Sequence, residues 1–73
     1  MTVLKQHRIG KDLIEINFIE PYYHIEWRED AGNWMPWEIR ADGTRHIMSE
    51  MTKDIEKAEK LYNEYIRRVE NNG

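Results

Sequence analysis

Hydrophobic and polar positions alternate with a period of two along much of the first two thirds of the chain, then with a period of 3.6 along the last third. Residues 13–20 read Leu-Ile-Glu-Ile-Asn-Phe-Ile-Glu. Ile14, Ile16 and Phe18 fall on one side and Glu15 and Asn17 on the other, which predicts a strand with one face in water. Residues 22–29 repeat the arrangement, with Tyr23, Ile25 and Trp27 opposed to Tyr22, His24, Glu26 and Arg28. Between the two, Pro21 has no N–H to donate, so Glu20-Pro21 interrupts the ladder and the short connection makes the strands antiparallel neighbours. Residues 2–9 form a weaker candidate strand, joined to the next by the glycine-containing loop Gly10-Lys11-Asp12.

After the turn cluster Asp30-Ala31-Gly32-Asn33, alternation resumes over residues 34–40, where Met35, Trp37 and Ile39 share a face. Pro36 marks that strand as bulged or peripheral. Asp42-Gly43 predicts a two-residue type I′ hairpin turn into a short returning strand at residues 44–48. The period then changes. Met51, Ile55, Ala58, Tyr62, Tyr65 and Val69 step by fours and threes, with Leu61 and Ile66 widening the stripe, so a helix is expected over residues 50–70 with Ser49 or Thr52 as its cap. A lone sheet or a lone helix of this size would leave its apolar face in water. The expected fold is therefore α+β, an antiparallel meander of four or five strands with one C-terminal amphipathic helix packed on one face, in one small domain of 73 residues.

Composition narrows the chemistry. There is no cysteine, which removes disulfides, thiol nucleophiles, iron–sulfur clusters and Cys-based zinc sites. His7, His24 and His46 lie on separate expected strands without metal-ligand spacing, and the four glycines fall singly, so neither a metal site nor a phosphate-cradling loop is expected. Ser49 is the sole serine and sits where a helix cap is wanted. Glu15, Glu26 and Glu38 fall on the water-facing side together with Arg28 and Arg40, an arrangement that cross-strand ion pairing explains without catalysis. No enzyme, no cofactor and no metal is the expectation. No apolar run approaches membrane-spanning length and no leader pattern opens the chain, so a cytoplasmic location is expected.

The net charge is −3, and neither half of the chain has a one-sided field. Residues 37–59, with Trp37, an Asp42-Gly43 hairpin, a following strand, Thr52 and a charged helix containing Ala58, are similar to part of the arm-binding domains of phage-type integrases. That resemblance implies a three-stranded sheet inserted into a DNA groove. Those domains carry a surplus of Lys and Arg, whereas this chain is net acidic, so no binding residue is carried across.

The excess of aromatic residues is the more informative feature: three Trp, four Tyr and one Phe. Tyr23, Trp27, Trp37, Tyr62 and Tyr65 are expected in the core. Trp34 and Tyr22 are expected to face outward near His24, and outward aromatic residues on a polar sheet commonly anchor interfaces. The leading expectation is a small non-enzymatic protein-interaction or regulatory module, of the format of phage or prophage accessory proteins. It would bind a protein partner or itself through Trp34, Tyr22 and His24, or along an open sheet edge. The second is a sheet-based nucleic-acid-binding module, with Tyr22 and Trp34 stacking on bases and Arg8, Arg28, Arg40 and Arg45 on phosphates.

Overall fold

The computed structural model describes residues 1–30 and 39–72. Four strands and one helix follow in order: β1 (Thr2–Ile9), β2 (Asp12–Ile19), β3 (Tyr22–Asp30), β4 (Thr44–Thr52) and α1 (Ile55–Asn72). The strands form one antiparallel sheet in the order β1-β2-β3-β4, and α1 lies across one face. This is the expected α+β meander. The N-terminal segment, the weakest of the sequence signals, pairs with β2 along its length, with a register shift between Val3 and Lys5. Among the described residues no helix is long and apolar enough to cross a membrane.

The turns show how local sequence closes the sheet. Gly10 takes φ 59° as the first of two loop residues between the paired Ile9 and Asp12, while Lys11 stays out of the left-handed region. That is the φ pattern of a type II′ hairpin, which matches the twist of the flanking strands. The Asp42-Gly43 turn is placed as expected but differs in kind. Only Gly43 has positive φ, at 81°, and Arg40 and Thr44 close the loop through Arg40 N–H to Thr44 O at 2.7 Å. Gly43 N–H donates to Arg40 O at 2.9 Å, so the loop spans three residues with glycine last, rather than the expected two. Asp42 is thereby freed from a left-handed backbone, and its carboxylate accepts hydrogen bonds from the Thr44 N–H and hydroxyl.

Two boundaries depart from the sequence reading. β4 continues to Thr52, beyond the expected end at 48, and the helix starts at Ile55 rather than 50. Met51 consequently belongs to the strand and is 55% exposed, and Ile55 is exposed as well. The cap is neither Ser49 nor Thr52. Asp54 Oδ1 accepts the Glu56 N–H at 2.9 Å and Asp54 O accepts the Ala58 N–H, while Thr52 Oγ1 accepts the Asp54 N–H one step earlier. An acidic cap at the positive end of the helix dipole is favoured on electrostatic grounds as well. Of the strand expected at 34–40, residues 34–38 lie outside the described residues, and Ile39 and Arg40 belong to no strand. Trp37, expected in the core, also lies outside them.

The core fills the space between α1 and the central strands. Ile14, Ile16 and Ile25 from the sheet meet Ala58, Tyr62, Tyr65 and Val69 from the helix, with Tyr23, Trp27, Met48 and Leu61 packed around them. The helical contribution steps by four, three and four, and Ala58 lets the backbone approach the sheet closely. Trp27 and Tyr65 stack at a tilt, 6.5 Å between ring centroids, and the indole N–H is satisfied by Asp12 Oδ1 at 3.0 Å. Burial, reinforced by the neighbouring Glu50 carboxylate to which the phenol O–H donates, pushes the Tyr65 phenol up from 10.0 to about 12. A phenol whose pKa is raised on folding stabilises the fold fully below its unfolded value, and that contribution is lost as pH rises through the window from 10.0 to about 12. Chemical denaturation of wild type and Tyr65→Phe across that window should show the wild type losing stability faster. At neutral pH the variant should lose no more than about 1 kcal/mol for its one long hydrogen bond.

Candidate functional site

The sheet face opposite α1 carries the polar side chains of the alternation, and the register sorts them into rows. Gln6, Glu15, Glu26 and Ser49 lie side by side across the four strands. One step toward the β2–β3 turn the row is Val3, Asn17, His24 and Met51, followed by the Ile19–Tyr22 pair. One step the other way, Leu13, Arg28 and His46 are neighbours. This face was expected to be wet, and its centre is not: Glu15 is 5% exposed, Glu26 4% and Leu13 is buried as well. The correction has a physical cause, because the two arginines fold over the carboxylates and neutralise them.

Glu15 and Glu26 are directly opposed across β2 and β3, an arrangement of like charges that destabilises a sheet unless cations intervene. The Arg28 guanidinium donates to Glu15 and to Asp42 and lies 3.7 Å from Glu26. Arg40 makes a two-pronged pair with Glu26, Nη1 to Oε1 at 2.9 Å and Nη2 to Oε2 at 2.6 Å. This is the planar fork geometry that carboxylate recognition favours. Gln6 Nε2 donates to the second oxygen of Glu15 at 3.2 Å, and His46 Nδ1 lies 3.3 Å from Glu26 Oε2. Burial by itself would raise the Glu26 carboxyl, but the hydrogen bonds and positive charge of Arg40, with smaller contributions from His46 and His24, overcome it and hold the group below its ordinary 4.5. The same pairing raises Arg40 above its ordinary value. Asp42 is held low, first by its hydrogen bond from the Thr44 hydroxyl.

The residues singled out from sequence fall as follows. Tyr22 and His24 are both on this face, as expected, and Tyr22 is 37% exposed with Lys53 Nζ 5.3 Å from its ring centroid. Trp34 lies outside the described residues, and so does Glu38. The arginines of the nucleic-acid reading are engaged internally: Arg28 and Arg40 as above, and Arg8 with Asp30 at 3.0 Å. Arg45 turns to the opposite face, where its Nε is 3.6 Å from Glu29. Among the described residues no group of three His, Asp or Glu side chains is arranged to hold a metal ion.

What the sequence reading missed is the rim. Val3, Ile19 and Met51, all more than two-fifths exposed, join Tyr22 in an apolar border at one end of the face, next to the neutralised cluster. Between border and cluster a cleft of about 300 Å³ is lined by Met1, Glu15, Asn17, Ile19, His24, Glu26 and the two arginines. One signal was present in the sequence: Leu13 and Ile19 share the parity of Glu15 and Asn17, so half of the supposedly wet positions of β2 were apolar from the start. Compared with family models, with curated proteins and with solved structures, the chain matches none.

Two measurements probe this arrangement. Arg28→Met should lose about 3 kcal/mol or more in urea denaturation, because it leaves Glu15 buried and uncompensated, and adding Glu15→Gln should recover a large part of that loss. Arg40→Met should cost less, since the Arg40 side chain is 41% exposed. Because Glu26 titrates below its ordinary 4.5, its contribution to stability is present above that value and is lost as pH falls through the folded pKa. The acid limb of the stability profile should therefore be shallower in Glu26→Gln than in wild type.

Proposed function

We propose that this chain is a non-enzymatic protein-interaction module whose docking surface is the sheet face opposite the helix. The observation that carries the reading is the pattern of that face: a charge-neutralised, rigidly paired centre bordered by the exposed apolar side chains of Val3, Ile19, Tyr22 and Met51. Such a border supplies the apolar contact area of an interface, while a centre whose two buried carboxylates are each paired with a guanidinium presents only a weak field toward a protein partner. The alternative, a nucleic-acid module, has less support. It needs cations for phosphates, and Arg8, Arg28 and Arg40 are already committed to carboxylates of this chain. Tyr22 as a stacking platform is compromised too, because Lys53 lies against its ring.

The test is affinity capture from a lysate of the source cell with nuclease present, run alongside sedimentation of the isolated chain for self-association. The comparison is with the double variant Tyr22→Ser/Met51→Ser, whose substituted side chains are exposed and outside the helix-side core. The expected result is one protein retained in near-stoichiometric amount, or a concentration-dependent dimer, reduced at least about tenfold in the variant, the equivalent of 1.4 kcal/mol. Capture or dimerisation indifferent to the double substitution overturns the reading, as does recovery that disappears with nuclease.

A further inference from the structure

β1 is the naked edge of the sheet. Thr2 to Arg8 are all exposed, and among the described residues no strand lies outside them. β4, the other edge, is better covered, with Thr44 buried and Arg45, Ile47, Met48 and Thr52 half-buried. The hairpin fixes which backbone groups of β1 are free. A two-residue turn of this type pairs the residues on either side of it through hydrogen bonds, here Ile9 and Asp12. Alternation along an antiparallel ladder then turns the N–H and C=O of His7 and Lys5 inward to β2, and those of Gln6 and Arg8 outward. The register shift between Val3 and Lys5 leaves Leu4 without an opposite residue, so the regular stretch of free edge runs from Lys5 to Ile9.

Side-chain chemistry restricts what can pair there. β1 carries Lys5, His7 and Arg8 and no acidic residue. Cations on an edge strand repel a second copy of the same strand and favour an acidic one. Neither charge is used up within the chain. Lys5 Nζ lies 3.5 Å from Glu59 and Arg8 Nη1 3.0 Å from Asp30, all four side chains being about half exposed, so each pair is worth little and each cation keeps further N–H donors. Lys5 and His7 sit on the helix side of the sheet, opposite Ile16 and Ile14, and Gln6 and Arg8 on the open side, opposite Glu15 and Leu13. An added strand with carboxylates on the helix side meets Lys5 and His7, and its alternate residues prolong the open face beyond Val3 and Gln6.

We propose that the outer edge of β1 takes up an extended acidic segment of the partner protein as an added strand, joined through the outward backbone groups of Gln6 and Arg8. Main-chain hydrogen bonds give such pairing its affinity and alternate side chains its specificity. The proposal rests on the reading of this chain as a protein-interaction module, and adds a second contact beside the open face, which reaches the edge at Val3. A nucleic acid is drawn to cations as well, but it binds through a run of phosphates and needs several free ones, whereas an added strand is held chiefly by its backbone.

The experiment is a titration of the ¹⁵N-labelled full chain, followed by NMR, with three probes: the blocked peptide Thr-Val-Glu-Val-Glu-Val-Thr, its counterpart with lysine in place of glutamate, and a short uridine oligonucleotide. The acidic peptide is expected to give saturable shifts along β1 and to slow hydrogen exchange at the Gln6 and Arg8 amides, leaving those of Lys5, His7 and Ile9, which already face β2, unchanged. The lysine peptide is expected to bind at least about tenfold more weakly. Gln6→Pro removes an outward N–H from an edge strand and should abolish binding of the acidic peptide. Should that variant fail to fold, Lys5→Glu, at an exposed position, should reverse the preference between the two peptides. No saturable shift, shifts without slowed exchange at Gln6 and Arg8, equal binding of the lysine peptide, or a preference that Lys5→Glu leaves unchanged overturns the proposal. A stronger response to the oligonucleotide overturns it in favour of a phosphate chain. A negative titration alongside partner capture that depends on Tyr22 and Met51 removes only the strand addition. Loss of both removes the interaction module itself.

Discussion

Glu15 and Glu26 face each other across the two central strands with almost no access to water, and the rest of the open face is organised around making that arrangement tolerable. Two buried carboxylates at cross-strand distance repel one another and lose hydration together. Arg28, on the same strand as Glu26 and two residues along, reaches Glu15 and extends to Asp42. Arg40 closes on Glu26 from the loop that leads into β4. The loop is held in turn by Asp42 and Thr44, so the hairpin, the edge strand and the polar centre are one connected unit. Removing one cation leaves a charge stranded in a dry place, which is why Arg28 matters more than an exposed arginine would.

The two faces solve opposite problems with similar economy of residues. The helix side is closed by shape: three isoleucines, an alanine and two tyrosines interlock, with the polar atoms of Trp27 and Tyr65 satisfied at the margin by Asp12 and Glu50. The far side has no second layer among the described residues and is closed by charge pairing instead. Buried ion pairs of this kind confer less net stability than an apolar layer, but they hold side chains in fixed directions.

Both oxygens of Glu15 and of Glu26 are engaged, while Arg28 Nε beside them and Asn17 Oδ1 one row away are buried without a hydrogen-bond partner. Asn17 is as buried as the two glutamates, and its row ends in exposed Val3 and Met51.

Much of the fold was legible in the sequence because its signals are local and periodic. Alternation from Ile14 to Trp27 marked the two central strands, Pro21 and Gly10 marked their connections, and the four-three stepping from Ala58 to Val69 marked the helix and the face it buries. Tyr22 and His24 were placed on the open face by parity alone. The helix start was misread because Met51 fits the helical stripe as well as it fits a strand, and only pairing with His24 across β3 and β4 decides between them. The polar centre was misread for a deeper reason. Parity assigns Glu15 and Glu26 to a face but does not state whether that face is wet, which depends on Arg28 and on Arg40, fourteen residues away from Glu26 along the chain. The sequence by itself determined the elements and the sides on which their residues lie. Tertiary structure decided which polar side chains are buried, paired or left wanting a partner, because those properties arise from through-space contacts that no local period encodes.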